Sequence, residues 1–245
     1  LTATQFFAKE FAKYTILLGL AYITSKGDRD TTGRNLGIKR ATTNPIAPRN
    51  IIYGKTRVGG TIVQRVVSSP TNKTNNAILH HVIAVAGHEI NNITKVFVDA
   101  GKGTKELNLS DSNDFVSATE NNATVFRCVD SNFVNAGNDD AYTDGSLMKL
   151  TFEKGDQTAA NGYALAQMTN LDWTSDHKLL DIAYVYVNCI YDRNKFTAIP
   201  SFSFEVEGKK VFDPADTNQN QNDSTTFTYS TNPALIIRDY LMDST

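Results

Sequence analysis

The sequence predicts a mostly β protein with a few helices, an α+β class, on three observations. Apolar and polar residues alternate with period two through much of the body. Glycine-bearing turns punctuate those runs at short intervals. Helix signals are confined to the first residues and to short stretches near 163–171 and 232–242.

The elements follow in chain order. Phe6, Phe7, Phe11, Tyr14, Leu17, Leu18 and Ala21 fall at helical spacing and predict an amphipathic helix with a wide apolar face. Lys9 and Lys13 ahead of the apolar run at 16–23 also give the outline of a signal peptide. That run is too short to span a bilayer, and residues 22–26 (YITSK) offer no small-x-small cleavage site. The amphipathic helix is therefore preferred, with Phe7 and Phe11 as interface candidates. Residues 27–39 are polar and rich in Gly and Thr, which reads as an extended arm.

Residues 48–63 (PRNIIYGKTRVGGTIV) read as strand, glycine turn and strand, either a hairpin or a tight β-corner. In 78–86, Ile78, His80, Val82 and Ala84 share one face and Leu79, Ile83 and Val85 the other, predicting a strand buried between layers. Gly87, His88 and Glu89 make a turn, and Val96, Phe97 and Val98 belong to the next strand. Residues 101–155 are weakly patterned and read as loops with short strands at 125–129 and 147–152. A short helix is expected over 163–171 and a long two-sided strand over 179–190. Phe202, Phe204 and Val206 alternate with Ser201, Ser203 and Glu205, and Glu207-Gly208-Lys209 suggests a hairpin into 210–212. Residues 218–224 (NQNQNDS) read as a flexible polar loop. Asn232 and Pro233 supply an N-cap and first helical residue for a helix reaching Met242.

The chemistry-bearing patterns are few. At 245 residues the chain can bury a real core, and its net charge of −2 gives no electrostatic reason to expect nucleic acid. Gly54-Lys55-Thr56 ends like a phosphate-binding loop, but Arg49 stands where that loop needs its first glycine. His80 and His81 point to opposite faces of one strand and His88 lies past a turn, so a shared metal is disfavoured. Asp139, Asp140, Asp144 and Gly145 form the best acidic loop, without the order or the closing Glu of an EF-hand. Asp172 and Asp176 flank Trp173, but sequence alone does not set the separation that glycosidase chemistry requires. There is no GxSxG elbow, and Cys128 and Cys189 form no CxxC. The expectation is a non-enzyme with no cofactor, no bound metal and no membrane span.

Four blocks then carry a resemblance: residues 48–63, residues 80–90 (HHVIAVAGHEI), residues 173–187 (WTSDHKLLDIAYVYV), and the pair 206–214 (VEGKKVFDP) and 232–241 (NPALIIRDYL). In this order they resemble the N-terminal region of the tip attachment proteins of long-tailed bacteriophages, the lambda-type host-specificity or central tail fibre family. The resemblance covers roughly residues 35–241. It implies a tail hub: a β-barrel-like domain with a smaller inserted domain, assembled as a trimer around the tail axis. With the N-terminal helix and arm read from their own residues over 1–40, the expected organisation is hub over 41–100, insertion over 101–160, and hub with a closing helix over 161–245. Family members continue well past such a block, so the chain is expected to be the hub portion of a longer protein or a shortened relative.

The resemblance also implies structural roles. Tyr53, Lys55, Arg57, Val58 and Gly59 form the hub corner, and Trp173 and His177 enter the long strand. Asn232, Pro233, Arg238, Asp239 and Tyr240 form the closing helix. The implied partners are other copies of the chain and neighbouring tail tip proteins, with the host surface engaged indirectly. The implied location is the distal tip of the virion tail, assembled in the host cytoplasm. That reducing setting favours two buried thiols over a Cys128–Cys189 disulfide. Two other classes stay open, a host-surface glycan- or protein-binding module and a wall hydrolase.

Overall fold

The computed structural model describes residues 49–69, 77–135 and 145–242. The helix expected around Phe7 and Phe11, and the acidic residues Asp139, Asp140 and Asp144, lie outside the described residues.

Two antiparallel sheets share one core. The first, in spatial order β1-β10-β4-β5, contains β1 (Lys55–Val58), β10 (Ser201–Glu207), β4 (Asn92–Asp99) and β5 (Thr104–Asn108). The second, in order β2-β3-β9-β8-β7-β6, contains β2 (Thr61–Ser68), β3 (Ile78–Ala86), β9 (Ala183–Ile190), β8 (Met148–Glu153), β7 (Ala123–Cys128) and β6 (Phe115–Glu120). β11 (Lys210–Val211) and β12 (Thr228–Tyr229) form a separate two-stranded ribbon. Two α-helices complete the described elements, α1 (Gly162–Gln167) and α2 (Pro233–Met242).

The mostly β class holds, but the closed barrel does not. Among the described strands each sheet ends on strands with one neighbour, β1 and β5 in the first and β2 and β6 in the second. The main core joins both sheets, with Val96, Val98, Leu107 and Phe204 from the first and Ile83, Val85, Leu150 and Val187 from the second. The stretch 101–155 supplies β5 to the first sheet and β6, β7 and β8 to the second.

Residues 49–63 form a corner rather than a hairpin. β1 pairs with β10 in one sheet and β2 with β3 in the other. Gly59 and Gly60 are buried at the crossing, and Gly60 has φ +70. A Cβ on Gly60 would lie 2.5 Å from the Ala84 carbonyl oxygen, so both backbone angle and space require glycine there. Ile51, Ile52 and Tyr53 are not strand.

Three other expectations are corrected. Lys210 does not fold back on β10: the Gly208 and Lys209 amides donate to the Gly54 and Ile52 carbonyls, and β11 pairs with β12 instead. The strand expected from 179 begins at Ala183, because Leu179 (φ +50) and Asp181 (φ +58) are left-handed. The helix expected over 163–171 ends at Gln167, with the Asn161 side chain capping it by accepting the Ala164 amide at 3.0 Å.

β3 is buried on both faces, as its pattern predicts. Ile83 and Val85 enter the main core. Val82 enters a second cluster on the other face, with Tyr184, Tyr186, Ala123 and Val125 under α1 residues Tyr163 and Ala164 and under Trp173. Cys128 and Cys189 are buried free thiols, and burial holds the Cys128 thiol up at about 12. The loop 218–224 is built from side-chain-to-backbone turns rather than left open. Asp216 Oδ1 accepts the Asn218 amide at 3.0 Å, Asp223 Oδ1 accepts the Thr225 amide at 3.0 Å, and a 3-10 turn follows at Ser224–Thr226.

Candidate functional site

α2 begins where the sequence says it should. Asn232 Oδ1 accepts the Ala234 amide at 3.0 Å and the Asn232 carbonyl accepts the Ile236 amide at 3.1 Å, while Pro233 occupies the first helical position. The helix has no buried residue. Leu235, Ile236, Arg238 and Asp239 are half-buried toward the body, and Ile236 Cδ1 lies 3.8 Å from the place a Cβ on Gly54 would take.

A polar knot fixes this helix to the corner. The Tyr53 hydroxyl donates to Asp239 Oδ2 at 2.6 Å across 186 positions of sequence. Lys209 Nζ donates to the same oxygen at 2.8 Å, with its ammonium 5.8 Å from the Tyr53 ring centroid. Both side chains are largely shielded, Lys209 at 26% and Asp239 at 14% exposed, so the pair is stronger than an open surface bridge. The backbone beneath is equally tight. Gly208 donates to the Gly54 carbonyl at 2.8 Å and Lys209 to the Ile52 carbonyl at 2.7 Å. A Cβ on Gly208 would sit 2.1 Å from the Ile52 carbonyl oxygen, which excludes any other residue without movement. Arg238 lies over the Phe212 ring at 4.9 Å, and Phe212 packs on Phe227 at 5.7 Å.

The corner itself is braced by charge. Lys55 Nζ reaches Glu205 at 3.1 Å and Glu207 at 3.8 Å, along the β1–β10 pairing. Arg57 donates from Nε to Ser203 Oγ at 2.8 Å and lies 3.8 Å over the Phe97 ring. Burial lowers the Arg57 pKa against the opposing pull of Glu106. His88 takes the Ile52 amide on Nε2 at 2.8 Å and faces the Glu89 carbonyl with Nδ1 at 2.7 Å, which selects the Nδ1–H tautomer.

The candidates thus divide. Tyr53, Lys55, Arg57, Gly59, Pro233, Arg238, Asp239 and Tyr240 belong to the corner and α2. Trp173 and His177 belong to the loop before β9, on the other face of the six-stranded sheet, and do not enter that strand. Trp173 is 2% exposed and stacks on the His177 ring at 4.6 Å. Sequence reasoning missed Lys209, which makes the knot, and chose Gly59 where Gly60 carries the conformational demand. A lone lysine after a turn glycine has no periodic signature; two adjacent glycines do signal a special backbone, but not which of them bears it.

The polar atoms of this site hold the helix in place. What the helix offers outward is apolar: Ile237 is 58% exposed, Tyr240 64%, Leu241 74% and Met242 55%. At i, i+3 and i+4, Ile237, Tyr240 and Leu241 form one stripe. His80, by contrast, is engaged at both ring nitrogens, with Ser68 Oγ at 2.8 Å and the Tyr186 hydroxyl at 2.7 Å. No group of three or more His, Cys, Asp or Glu among the described residues is placed to hold a metal ion. No helix among them is long and apolar enough to cross a membrane.

No protein-family model matches the chain, and no curated protein matches it. Among the solved structures that align with it is the virion of a native gene transfer agent particle, at a TM-score of 0.42 with 12% identity. The alignment covers 87% of this chain and 39% of that one, so the chain spans well under half of that neighbour's length. A likeness of that size decides neither fold nor role.

Proposed function

We propose that the chain is a structural, non-catalytic protein of a phage-like virion, and more narrowly a hub at the distal end of the tail. In that role three copies form a ring that joins the tail tube and tip proteins to the distal fibre. One observation carries the reading. Blocks 48–63, 206–214 and 232–241, which carry the sequence resemblance, close on one another through Tyr53, Lys209 and Asp239. Their closure ties α2 to the corner with Ile237, Tyr240 and Leu241 facing out. A stripe of this kind suits a contact with a neighbouring copy in the ring, because water is a poor solvent for it.

The test is the double variant Ile237→Glu with Leu241→Glu in assembling particles. The β body should fold normally, since neither side chain is buried, while tails should fail to mature. Normal yields of complete tails from that variant would remove the support for the assembly reading.

A further inference from the structure

Away from α2, three turns enclose a cleft of about 430 Å³ at the β4–β5 end of the first sheet. Its apolar floor is Val98, Ala100 and Phe133, with Phe133 packed on Phe196 at 5.9 Å. Its rim is cationic. Lys102 from the β4–β5 turn donates to the Asn194 carbonyl, and Lys195 donates to the Ser131 carbonyl at 2.7 Å. Lys105 from β5 pairs with Asp130 at 3.0 Å. Each ammonium thus laces one turn to another and fixes the rim.

Three lysines and no acid line the cleft. Of the three, Asp130 pairs with Lys105 alone, and Asp99 and Asp192 stand on the turns behind the rim. Lys102 and Lys195 have only neutral carbonyl partners among the described residues, so each keeps N–H donors for something else. Asp99 and Asp192 brace their own turns, accepting the Gly101 amide at 3.0 Å and the Asn194 amide at 2.7 Å. Thr104 and Asn194 are also among the residues that line the cleft. Gly103 (φ +93) leaves the rim open, since a Cβ there would meet nothing within 4 Å.

Spare cationic donors, neutral hydrogen-bonding groups and a small apolar floor match a compact ligand with one anionic group, several hydroxyls and a C–H face. We propose that this cleft binds an anionic sugar, a single hexose-sized unit bearing a carboxylate or a phosphate. Lys102 and Lys195 take the anion, Thr104 and Asn194 take hydroxyls, and the ring lies on the floor. The assignment stands apart from the assembly reading and survives its failure.

Amide chemical shifts of the full chain, titrated with glucuronic acid, glucose 6-phosphate, glucose and inorganic phosphate, test it. Both anionic sugars should shift Gly103, Asn132 and Asn194 saturably, while glucose should not. The variant Lys102→Gln with Lys195→Gln should bind roughly tenfold more weakly, with shifts elsewhere confirming the native fold. An oligoglucuronate that binds more tightly than the monomer assigns the source to a polymer, and equal affinity assigns it to single sugars. Inorganic phosphate binding as tightly as glucose 6-phosphate would overturn the sugar, and no saturable shift at the cleft would overturn the site.

Discussion

Two short helices sit on this β body and are held by opposite means. α1 and the Trp173 loop seal one face of the six-stranded sheet, and Tyr163, Ala164, Met168 and Trp173 are all buried there with Val82, Tyr184 and Tyr186. α2 has no fully buried residue, half-buries Leu235 and Ile236, is tied through Asp239, and turns Ile237, Tyr240 and Leu241 to solvent. Apolar burial makes the first helix part of the fold's stability. Polar attachment fixes the orientation of the second by directional bonds while Ile237, Tyr240 and Leu241 stay in solvent. The two should therefore respond differently to perturbation.

Acid should produce the largest effect, and it should act on the sealed body. His80 and His81 lie on opposite faces of β3, 1% and 2% exposed, and burial lowers each pKa from 6.5 to about 4. Below pH 6.5 the unfolded chain takes up protons that the folded chain refuses, so stability falls as pH drops toward 4. The loss is at most on the order of 3 kcal/mol for each histidine. Denaturant unfolding at stepped pH should show that slope, and His81→Leu should halve it. The His81 ring nitrogens have no hydrogen-bond partner among the described residues, so leucine removes a titrating group without breaking a bond. A flat profile between pH 6.5 and 4 would mean that the histidines are not held neutral.

Trp173→Ala comes next. Emptying that site should cost about 3–5 kcal/mol of global stability in urea titrations, with little change in exchange protection of α2 relative to the rest. Asp239→Asn should do the reverse. Loss of the charged tie should lower protection of the α2 amides by roughly tenfold, about 1.4 kcal/mol, while the body's midpoint barely moves. Equal responses of both helices to either variant would erase the distinction. Smallest of all, Tyr240→Ser should change folding stability by less than about 0.5 kcal/mol, since the ring is already in solvent.

Much of the fold was legible where burial is two-sided or where a cap is explicit. The apolar run 78–86 coincides with β3, and Asn232-Pro233 marks the start of α2. β5 (TKELN) and β6 (FVSATE) carry no strand pattern, because each lies at a sheet edge and buries one side chain, Leu107 and Phe115. The hairpin expected at 207–212 failed because the Gly208 and Lys209 amides are satisfied by a segment more than 150 positions away in the chain, at Gly54 and Ile52. At the site, the motif blocks were visible but their closure was not. Tyr53 and Asp239 meet through tertiary folding, which leaves no trace in local periodicity. Trp173 and His177 were grouped with the hub on resemblance, whereas their stacking and burial join them to the sealed face.

Reconstruction of intact particles containing this chain tests the central claim most directly. The account predicts three copies in a ring at the distal end of the tail, with Ile237, Tyr240 and Leu241 of each copy buried against a neighbour. A position in the capsid, another copy number around the axis, or an α2 stripe left in solvent would contradict it.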